Sequence, residues 1–178
     1  MKKLKTLGFC LLVALPFTGQ AQGGSVPSAS NSVRNFVQAF YDWYAPKAAK
    51  SGAGRTWDTA LNKKANCFST ALRHQLRADS DEQAKVAGEI VGLDFDPFLD
   101  SQDPDRYYRV GKVASKDRTY LVEVHRVVSD KVEQQRTVTA EVAGKAGQWY
   151  FINFHYPNGP TLLDVLKSLQ KSRHKTNP

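Results

Sequence analysis

The stretch RTYLVEVHRVV, residues 118–128, alternates apolar and polar side chains along most of its length. Such alternation is typical of a half-buried β-strand, because successive side chains point to opposite sides of a sheet. Three other stretches alternate or run apolar in the same manner: RYYRVGKVAS (106–115), RTVTAEVAG (136–144) and QWYFINFHY (148–156). The connections between them are too short for a parallel crossover, which needs a dozen or more residues. The sequence therefore predicts a four-stranded antiparallel meander.

In the residues before the strands, apolar side chains recur with the period of an α-helix. In SVRNFVQAFYDWYAP, residues 32–46, apolar side chains recur three and four residues apart, which predicts an amphipathic helix. Asn31 or Ser32 is expected to cap this helix, and Pro46 is expected to end it by restricting the residue before it. Three more helices are expected: residues 59–78, a short helix from a capping box at Ser80 and Gln83 to Val86, and a C-terminal helix in 159–172 capped by Thr161 with Asp164 in its first turn.

This order predicts an α+β fold. N-terminal helices are expected to pack on the apolar face of a curved four-stranded sheet, with the aromatic first helix as its main cover. A C-terminal helix completes the expected architecture.

The first 21 residues have the order of a secretory signal peptide. Lysines come first, an apolar run of 11 residues follows (7–17), and small residues precede a cleavage point after Ala21. A permanent membrane anchor is the alternative, but the run is too short to span a bilayer. Cys10 lies inside the run rather than at its end, so we expect no lipid attachment. The signal looks bacterial, and we expect an exported protein of the periplasm.

Four regions are expected: the signal peptide 1–21, a flexible leader 22–31, one domain 32–172 and a basic tail 173–178. Loss of the signal removes three lysines and no acid, which lowers the net charge from +8 to +5. Nucleic-acid binding would need clustered cations and exposed aromatics, so we expect none. The tail is interpreted as a solvated terminus, with contact to acidic lipids or glycans as a weaker alternative.

Cys67 is the one cysteine after the signal, so an internal disulfide is excluded for the mature chain. A buried, inert thiol is the favoured interpretation over a nucleophile, because no neighbour in the sequence is expected to lower its pKa.

The stretch GLDFDPFLDSQDPD, residues 92–105, contains five aspartates. Asp94 and Asp96 match the first two ligands of a calcium loop, but Pro97 and Phe98 occupy the positions where further ligands or turn residues are required. We favour a structural linker whose carboxylates accept backbone hydrogen bonds. A ligand-facing role for Asp94 or Asp96 is the second interpretation, and a metal site is the third.

Glu123 and His125 share one strand face, and His155 is predicted to lie on the last strand at the same parity as Trp149 and Phe151. A histidine beside a carboxylate is the minimum for proton transfer. Cross-strand pairing on a solvated face is the favoured alternative.

Aromatic side chains suggest a pocket wall as well as a core. A cavity between the first helix and the sheet is expected to gather Trp43, Tyr44, Trp149 and Phe151. The sequence contains no nucleophile elbow, phosphate loop, dinucleotide fingerprint or zinc spacing, which disfavours an enzyme. No cofactor is expected.

Four segments carry a family resemblance: VRNFVQAFYDWYAP, GLDFDPFLDSQDPDRYYRVGKV, RTYLVEVHRV and VTAEVAGKAGQWYFINFHYP. Together they resemble the bacterial exported proteins grouped as domain of unknown function 3828, over residues 33–169. The most specific pieces are D-[FY]-D-P-F and the W-x-[FI] strand. The resemblance implies a relation to the nuclear-transport-factor-2-like, cystatin-like folds, in which a curved sheet encloses a conical cavity. That fold hosts isomerases, dehydratases and plain binding modules, so it implies no single function.

These observations favour a non-catalytic periplasmic protein that binds a protein partner or a small ligand, such as an immunity protein or a component of an envelope complex. The alternative is an isomerase- or dehydratase-like enzyme with an acid–base pair in the cavity. A structural envelope protein with an apolar surface patch is a third possibility.

Overall fold

The computed structural model describes residues 29–51 and 55–176, with side chains described for 29–50 and 55–173. The predicted signal peptide, residues 1–21, lies outside the described residues, as does most of the predicted leader. The last three leader residues, 29–31, are already helical. The described chain forms an α+β fold with four α-helices and one open antiparallel sheet.

Helix α1 spans Ala29–Ser51 and carries the predicted apolar stripe. Val33, Val37, Phe40 and Tyr44 are at most 3% exposed. This spacing places all four on one side of the helix, where they pack against the sheet and the other helices.

The prediction that Pro46 ends α1 is wrong, because the helix continues to Ser51. Proline removes one backbone N–H and disturbs the carbonyls of the preceding turn. The ammonium group of Lys47 donates a hydrogen bond to the carbonyl of Trp43 at 2.8 Å, which satisfies an acceptor in that turn. Ala45 and Ala48 flank the proline and are buried. Tertiary packing therefore outweighs the local preference to stop.

The prediction of one helix over residues 59–78 is also wrong. The chain forms α2 (Thr56–Lys63), a 3-10 turn (Ala65–Cys67) and α3 (Thr70–Ala84). The expected short third helix does not start at Ser80, since that residue lies inside α3.

The break between α2 and α3 brings Phe68 to the sheet. Phe68 is extended, and Ser69 caps α3 by accepting a hydrogen bond from the Leu72 amide at 3.2 Å. The Ser69 amide donates to the carbonyl of Phe151 at 2.8 Å. In a continuous helix, the Ser69 and Leu72 amides would donate to carbonyls of the same helix, and Phe68 would not reach the strand.

The predicted meander is confirmed, with one additional short strand. The strands are β1 (Tyr108–Lys116), β2 (Thr119–Val128), β3 (Lys131–Val132), β4 (Val138–Lys145) and β5 (Gln148–His155). Their order is β1-β2-β4-β5, every pair is antiparallel, and β3 pairs with the end of β2.

Irregular pairing in β5 changes which face its last residues occupy. Val142 pairs with Phe151, whereas Glu141 pairs with Asn153, so Ile152 is an extra residue in β5. Such a β-bulge shifts the alternation by one residue. The predicted shared parity of His155 and Phe151 is therefore wrong: Phe151 is on the core face, and His155 is on the opposite face.

The core lies between the helices and one face of the sheet, where the strands bury Val122, Val124, Val138, Ala140 and Val142. We call the opposite side of the sheet the outer face. It carries half-buried polar side chains, because the strands alternate buried and partly exposed residues.

Helix α1 also covers part of the free edge of β1. The side-chain amide of Gln38 donates to the carbonyl of Tyr108 at 3.0 Å and accepts from the amide of Val110 at 2.9 Å. Arg34 donates to the Val110 carbonyl at 3.1 Å. These side chains take the place of a neighbouring strand and protect the edge from pairing with another chain.

Helix α4 spans Leu162–Thr176 and begins as predicted. The Thr161 hydroxyl accepts from the Asp164 amide at 3.3 Å, and the Asp164 carboxylate accepts from the Thr161 amide at 3.1 Å. This reciprocal pair is a capping box. The helix runs beyond residue 172, so it includes part of the predicted tail 173–178.

Candidate functional site

A groove of about 600 Å³ opens between the end of α1, helices α2 and α3, and the irregular segment 86–104. Its apolar lining consists of Ala48, Trp57, Ala84, Val86, Ile90, Leu93, Phe95 and Pro104. Its polar lining consists of Arg55, Thr56, Gln83, Asp94, Asp96, Ser101 and Gln102. A volume of this size is within the usual range for ligand pockets.

Gln83 of α3 holds one wall of the groove in place. Its side-chain oxygen accepts hydrogen bonds from the amides of Val91 and Gly92 at 2.8 and 2.9 Å. Its side-chain nitrogen donates to the carbonyl of Glu89 at 2.7 Å. One side chain thus orders an otherwise irregular segment, as expected for a binding wall built on a loop.

Asp96 lies at the inner end of the groove and is 6% exposed. Its carboxyl group accepts hydrogen bonds from the Tyr44 hydroxyl at 2.5 Å and from the Phe98 amide at 3.0 Å. Burial raises the pKa of Asp96 to about 6, although the Tyr44 hydroxyl and the backbone amides of Phe98 and Leu99 act in the opposite direction. The predicted hydrogen bond from a backbone amide to this carboxylate is confirmed.

Asp94 lies at the groove as an exposed carboxylate. Among the described residues it has no ion-pair partner, and its side-chain hydrogen bond from Gln102 is long, at 3.4 Å. Arg55 is the cation of the groove lining, but its guanidinium group is held by the Asp58 carboxylate at 3.5 Å and the Ser80 carbonyl at 3.0 Å. The charge of Asp94 therefore remains available to a ligand.

Apolar surface at the groove rim favours an occupant. Ile90 is 73% exposed and Val86 is 37% exposed, so apolar side chains are in contact with water there. The indole N–H of Trp57 is buried, and no described residue accepts its hydrogen bond. A buried donor without an acceptor costs roughly 1–3 kcal/mol.

The two carboxylate–histidine pairs lie on the outer face. His155 is hydrogen-bonded to Glu141 at 2.9 Å, and His125 lies 3.7 Å from Glu123. The other ring nitrogen of His125 is bonded to the carbonyl of Glu133 at 3.0 Å. None of these residues lines the groove. The His155–Glu141 pair joins two strands on a partly solvated face, as the cross-strand interpretation expected for His155, whereas Glu123 and His125 lie on one strand, β2.

The expected cavity between α1 and the sheet is filled by aromatic side chains. Tyr44 and Phe151 are fully buried, and Phe40 packs on both rings with centroid distances of 5.3 and 4.8 Å. These residues therefore belong to the core rather than to a pocket wall.

Trp43 and Trp149 lie at different ends of α1. The Trp149 indole N–H donates to the Ser32 hydroxyl at 2.8 Å, near the start of the helix. Trp43 lies 11 residues after Ser32 in α1, which corresponds to about 16 Å along the helix axis. The ammonium groups of Lys47 and Lys64 lie 4.6 and 5.3 Å from the centre of its ring. The two tryptophans cannot line one small cavity.

Cys67 is half-buried in the 3-10 turn. Burial raises the pKa of its thiol, and the charge of nearby Lys64 opposes that effect. The net shift favours the protonated and less reactive form, although the thiol is half-buried rather than buried and Lys64 is a neighbour that the sequence interpretation did not expect to act on it.

Sequence reasoning identified Asp94 and Asp96 but missed the other groove residues. Trp57, Gln83 and Ile90 come from three separate segments, and only the fold brings them together. A usable signal was the isolated apolar pair Ile90-Val91 between polar residues and glycine, which fits neither a helix nor a strand.

Comparisons with models of protein families, with curated proteins and with solved structures found no match. The family resemblance therefore stays a prediction. Among the described residues, no three histidine, cysteine or acidic side chains are placed to hold a metal ion. No helix of the described chain has the length and apolar character needed to cross a membrane.

Proposed function

We propose that this chain is an exported, non-catalytic binding protein of the bacterial periplasm, and that its ligand or partner occupies the groove. An immunity protein or a component of an envelope complex fits this description. The family resemblance belongs to the same proposal.

The observation that carries the proposal is the separation of two kinds of site. The groove combines about 600 Å³ of space with exposed apolar side chains and with the Asp94 carboxylate, which has no ion-pair partner among the described residues. The carboxylate–histidine pairs lie on the outer face instead. A binding site needs the first combination, whereas acid–base catalysis needs a proton-transfer group within reach of a bound substrate.

An enzyme is the second candidate, and Asp96 is the observation in its favour. A carboxyl group in a cleft with a pKa raised to about 6 is suited to proton transfer near neutral pH. Both oxygens of Asp96 already accept hydrogen bonds, from Tyr44 and from Phe98, and the side chain is nearly inaccessible. The binding function is therefore favoured.

The decisive experiment blocks the groove without disturbing the core. Ile90→Arg places a bulky cation at a position that is 73% exposed, so the variant is expected to fold. The exported chain would be recovered from a bacterial envelope extract with its bound molecules, which are identified by mass spectrometry. We expect one stoichiometric partner or ligand with the unmodified chain and at least a tenfold lower recovery with Ile90→Arg.

Val132→Arg is the matched control, because Val132 is 53% exposed and lies in β3, away from the groove. It should retain the bound molecule. Equal recovery with both variants would place the site elsewhere. Turnover of a recovered small molecule that Asp96→Asn abolishes would establish the enzyme instead.

Export has its own test. N-terminal sequencing of the protein from the periplasmic fraction should begin at Gln22, directly after the predicted cleavage point. Intact residues 1–21 in a cytoplasmic fraction would contradict the localisation.

A further inference from the structure

The groove lining carries more acidic than basic side chains, although the chain as a whole is basic. The full sequence has a net charge of +8. The groove lining nevertheless combines two aspartates with one arginine, and that arginine already contacts Asp58. Local charges in a cleft with apolar walls dominate the potential inside it. Asp94, at the exposed side, is therefore a site for a positively charged group.

Apolar surface lies beside this charge. Val86 and Ile90 are exposed at the rim, while Leu93 is buried next to them. Large apolar side chains left in water next to a cleft commonly mark an interaction site. An occupant that places an apolar group here and a cation at Asp94 uses both features together.

Trp57 forms part of the same wall and is 4% exposed. Its indole N–H is buried away from the groove opening, so the groove surface beside Asp94 is formed by apolar groups. The groove thus offers partners for a cation and an apolar side chain within one continuous site.

We infer that the occupant of the groove is a segment of a partner protein that carries lysine or arginine beside an apolar side chain. This inference rests on the proposed function and specifies its ligand. The cation binds the Asp94 carboxylate, and the apolar side chain covers Ile90 and Val86.

A segment of protein chain fits better than a small amine. Ile90 is 73% exposed, so it projects largely outside the groove, where a molecule confined to the cavity leaves it uncovered. In an extended chain, residues two positions apart point to the same side and lie about 6.6 Å apart, so a segment that crosses the rim can present an apolar side chain and a cation to the groove together.

The test uses a displayed library of random heptapeptides, selected on the unmodified chain and counter-selected on Ile90→Arg. We expect the enriched peptides to share lysine or arginine within two positions of a large apolar residue. The strongest peptide is then synthesised, and its dissociation constant is measured by isothermal titration calorimetry at low and high salt.

Asp94→Asn removes the charge and keeps the shape of the side chain. We expect it to weaken binding of the basic peptide about tenfold at low salt and less at high salt, because ions screen an exposed charge pair. Asp117→Asn is the matched control, since Asp117 lies in the exposed β1–β2 turn at a positive φ of 52° that asparagine tolerates. It makes the same change in net charge and should alter the affinity less than twofold.

Three results would overturn the inference. Enrichment of acidic or uncharged peptides would contradict the requirement for a cation. An unchanged affinity in Asp94→Asn would contradict the role of that carboxylate. Absence of enrichment relative to Ile90→Arg would contradict a peptide as the occupant. In each case the recovery experiment with Ile90→Arg still decides separately whether the groove is a binding site.

Discussion

Asp96 is a carboxyl group enclosed by the aromatic core. Tyr44 donates its hydroxyl hydrogen to Asp96, and the Phe98 amide donates to the other carboxyl oxygen. These contacts anchor the segment 96–101, which also closes through a backbone hydrogen bond from the Asp96 amide to the Ser101 carbonyl at 2.8 Å. At the scale of a single residue, Asp96 shapes the inner end of the groove.

Burial of Asp96 makes stability depend on pH. Its folded-state pKa of about 6 lies above the ordinary value of 3.8, so the native state holds this proton more tightly than the unfolded state. The associated stabilisation is fully present below about pH 3.8 and is lost as the pH rises through 6. Asp96→Asn lacks this titration. We expect its free energy of unfolding, relative to the unmodified chain, to rise by roughly 2 kcal/mol between pH 4 and pH 7.

Urea denaturation across this pH range measures the difference. Asp117→Asn, on an exposed turn, serves as the control because it makes the same change in net charge outside the core. A difference between Asp96→Asn and the unmodified chain that is constant with pH would contradict the raised pKa.

At the scale of the element, the break between α2 and α3 is set by the sheet. Phe68 packs against Phe98 with a centroid distance of 5.0 Å and forms a bridge with Phe151 of β5. The helix must end for Phe68 to reach this place, and Ser69 restarts it as the cap of α3. The cap therefore replaces hydrogen bonds that an unbroken helix would have made.

Ser69→Ala removes this cap. We expect it to lower the free energy of unfolding by about 1 kcal/mol, because the Leu72 amide loses its acceptor. Ser69→Gly is the matched comparison and should cost only a few tenths of a kcal/mol, since glycine is tolerated at this position. Chemical denaturation followed by circular dichroism distinguishes the two. A Ser69→Ala variant that is as stable as the unmodified chain would contradict this role of the cap.

At the scale of the whole molecule, one ion pair joins the C-terminal helix to the groove wall. Arg173 of α4 donates to the Asp79 carboxylate at 2.8 Å, and the same carboxylate accepts from the Leu93 amide at 2.9 Å. Asp79 is 3% exposed. A Cβ atom at Gly92 would lie 2.9 Å from Asp79, so glycine is needed for this close approach.

Arg173→Ala leaves the Asp79 carboxylate buried without its cation. We expect the free energy of unfolding to fall by about 3 kcal/mol. In the double variant Asp79→Asn with Arg173→Ala, the buried charge is gone and the amide oxygen still accepts from Leu93. We expect this variant to recover part of the loss, which thermal denaturation at one pH measures. A double variant that is less stable than Arg173→Ala would contradict the role of the unpaired charge.

Local patterns predicted the parts of the fold that depend on sequence neighbours. The alternation in residues 118–128 predicted β2, the apolar stripe predicted α1, and Thr161 with Asp164 predicted the start of α4. Each of these signals needs only side chains within a few positions of one another. Short connections then allowed only antiparallel pairing.

Three features were not predictable in this way. Helix α1 passes through Pro46, the helix after it breaks before Ser69, and the bulge at Ile152 turns His155 to the outer face. In each case a contact between distant segments outweighs the local preference, because the burial of large apolar side chains contributes more free energy than the intrinsic propensity of one or two residues.

The period and spacing of apolar residues were enough to predict the α+β class, the strand order and the aromatic character of the core. The candidate site, in contrast, depends on the folded chain. Trp57, Ile90 and Asp94 meet because α2 and the segment 86–104 pack against the same end of α1. Residues more than 30 positions apart have no local pattern that relates them, so their meeting depends on how the whole core is packed.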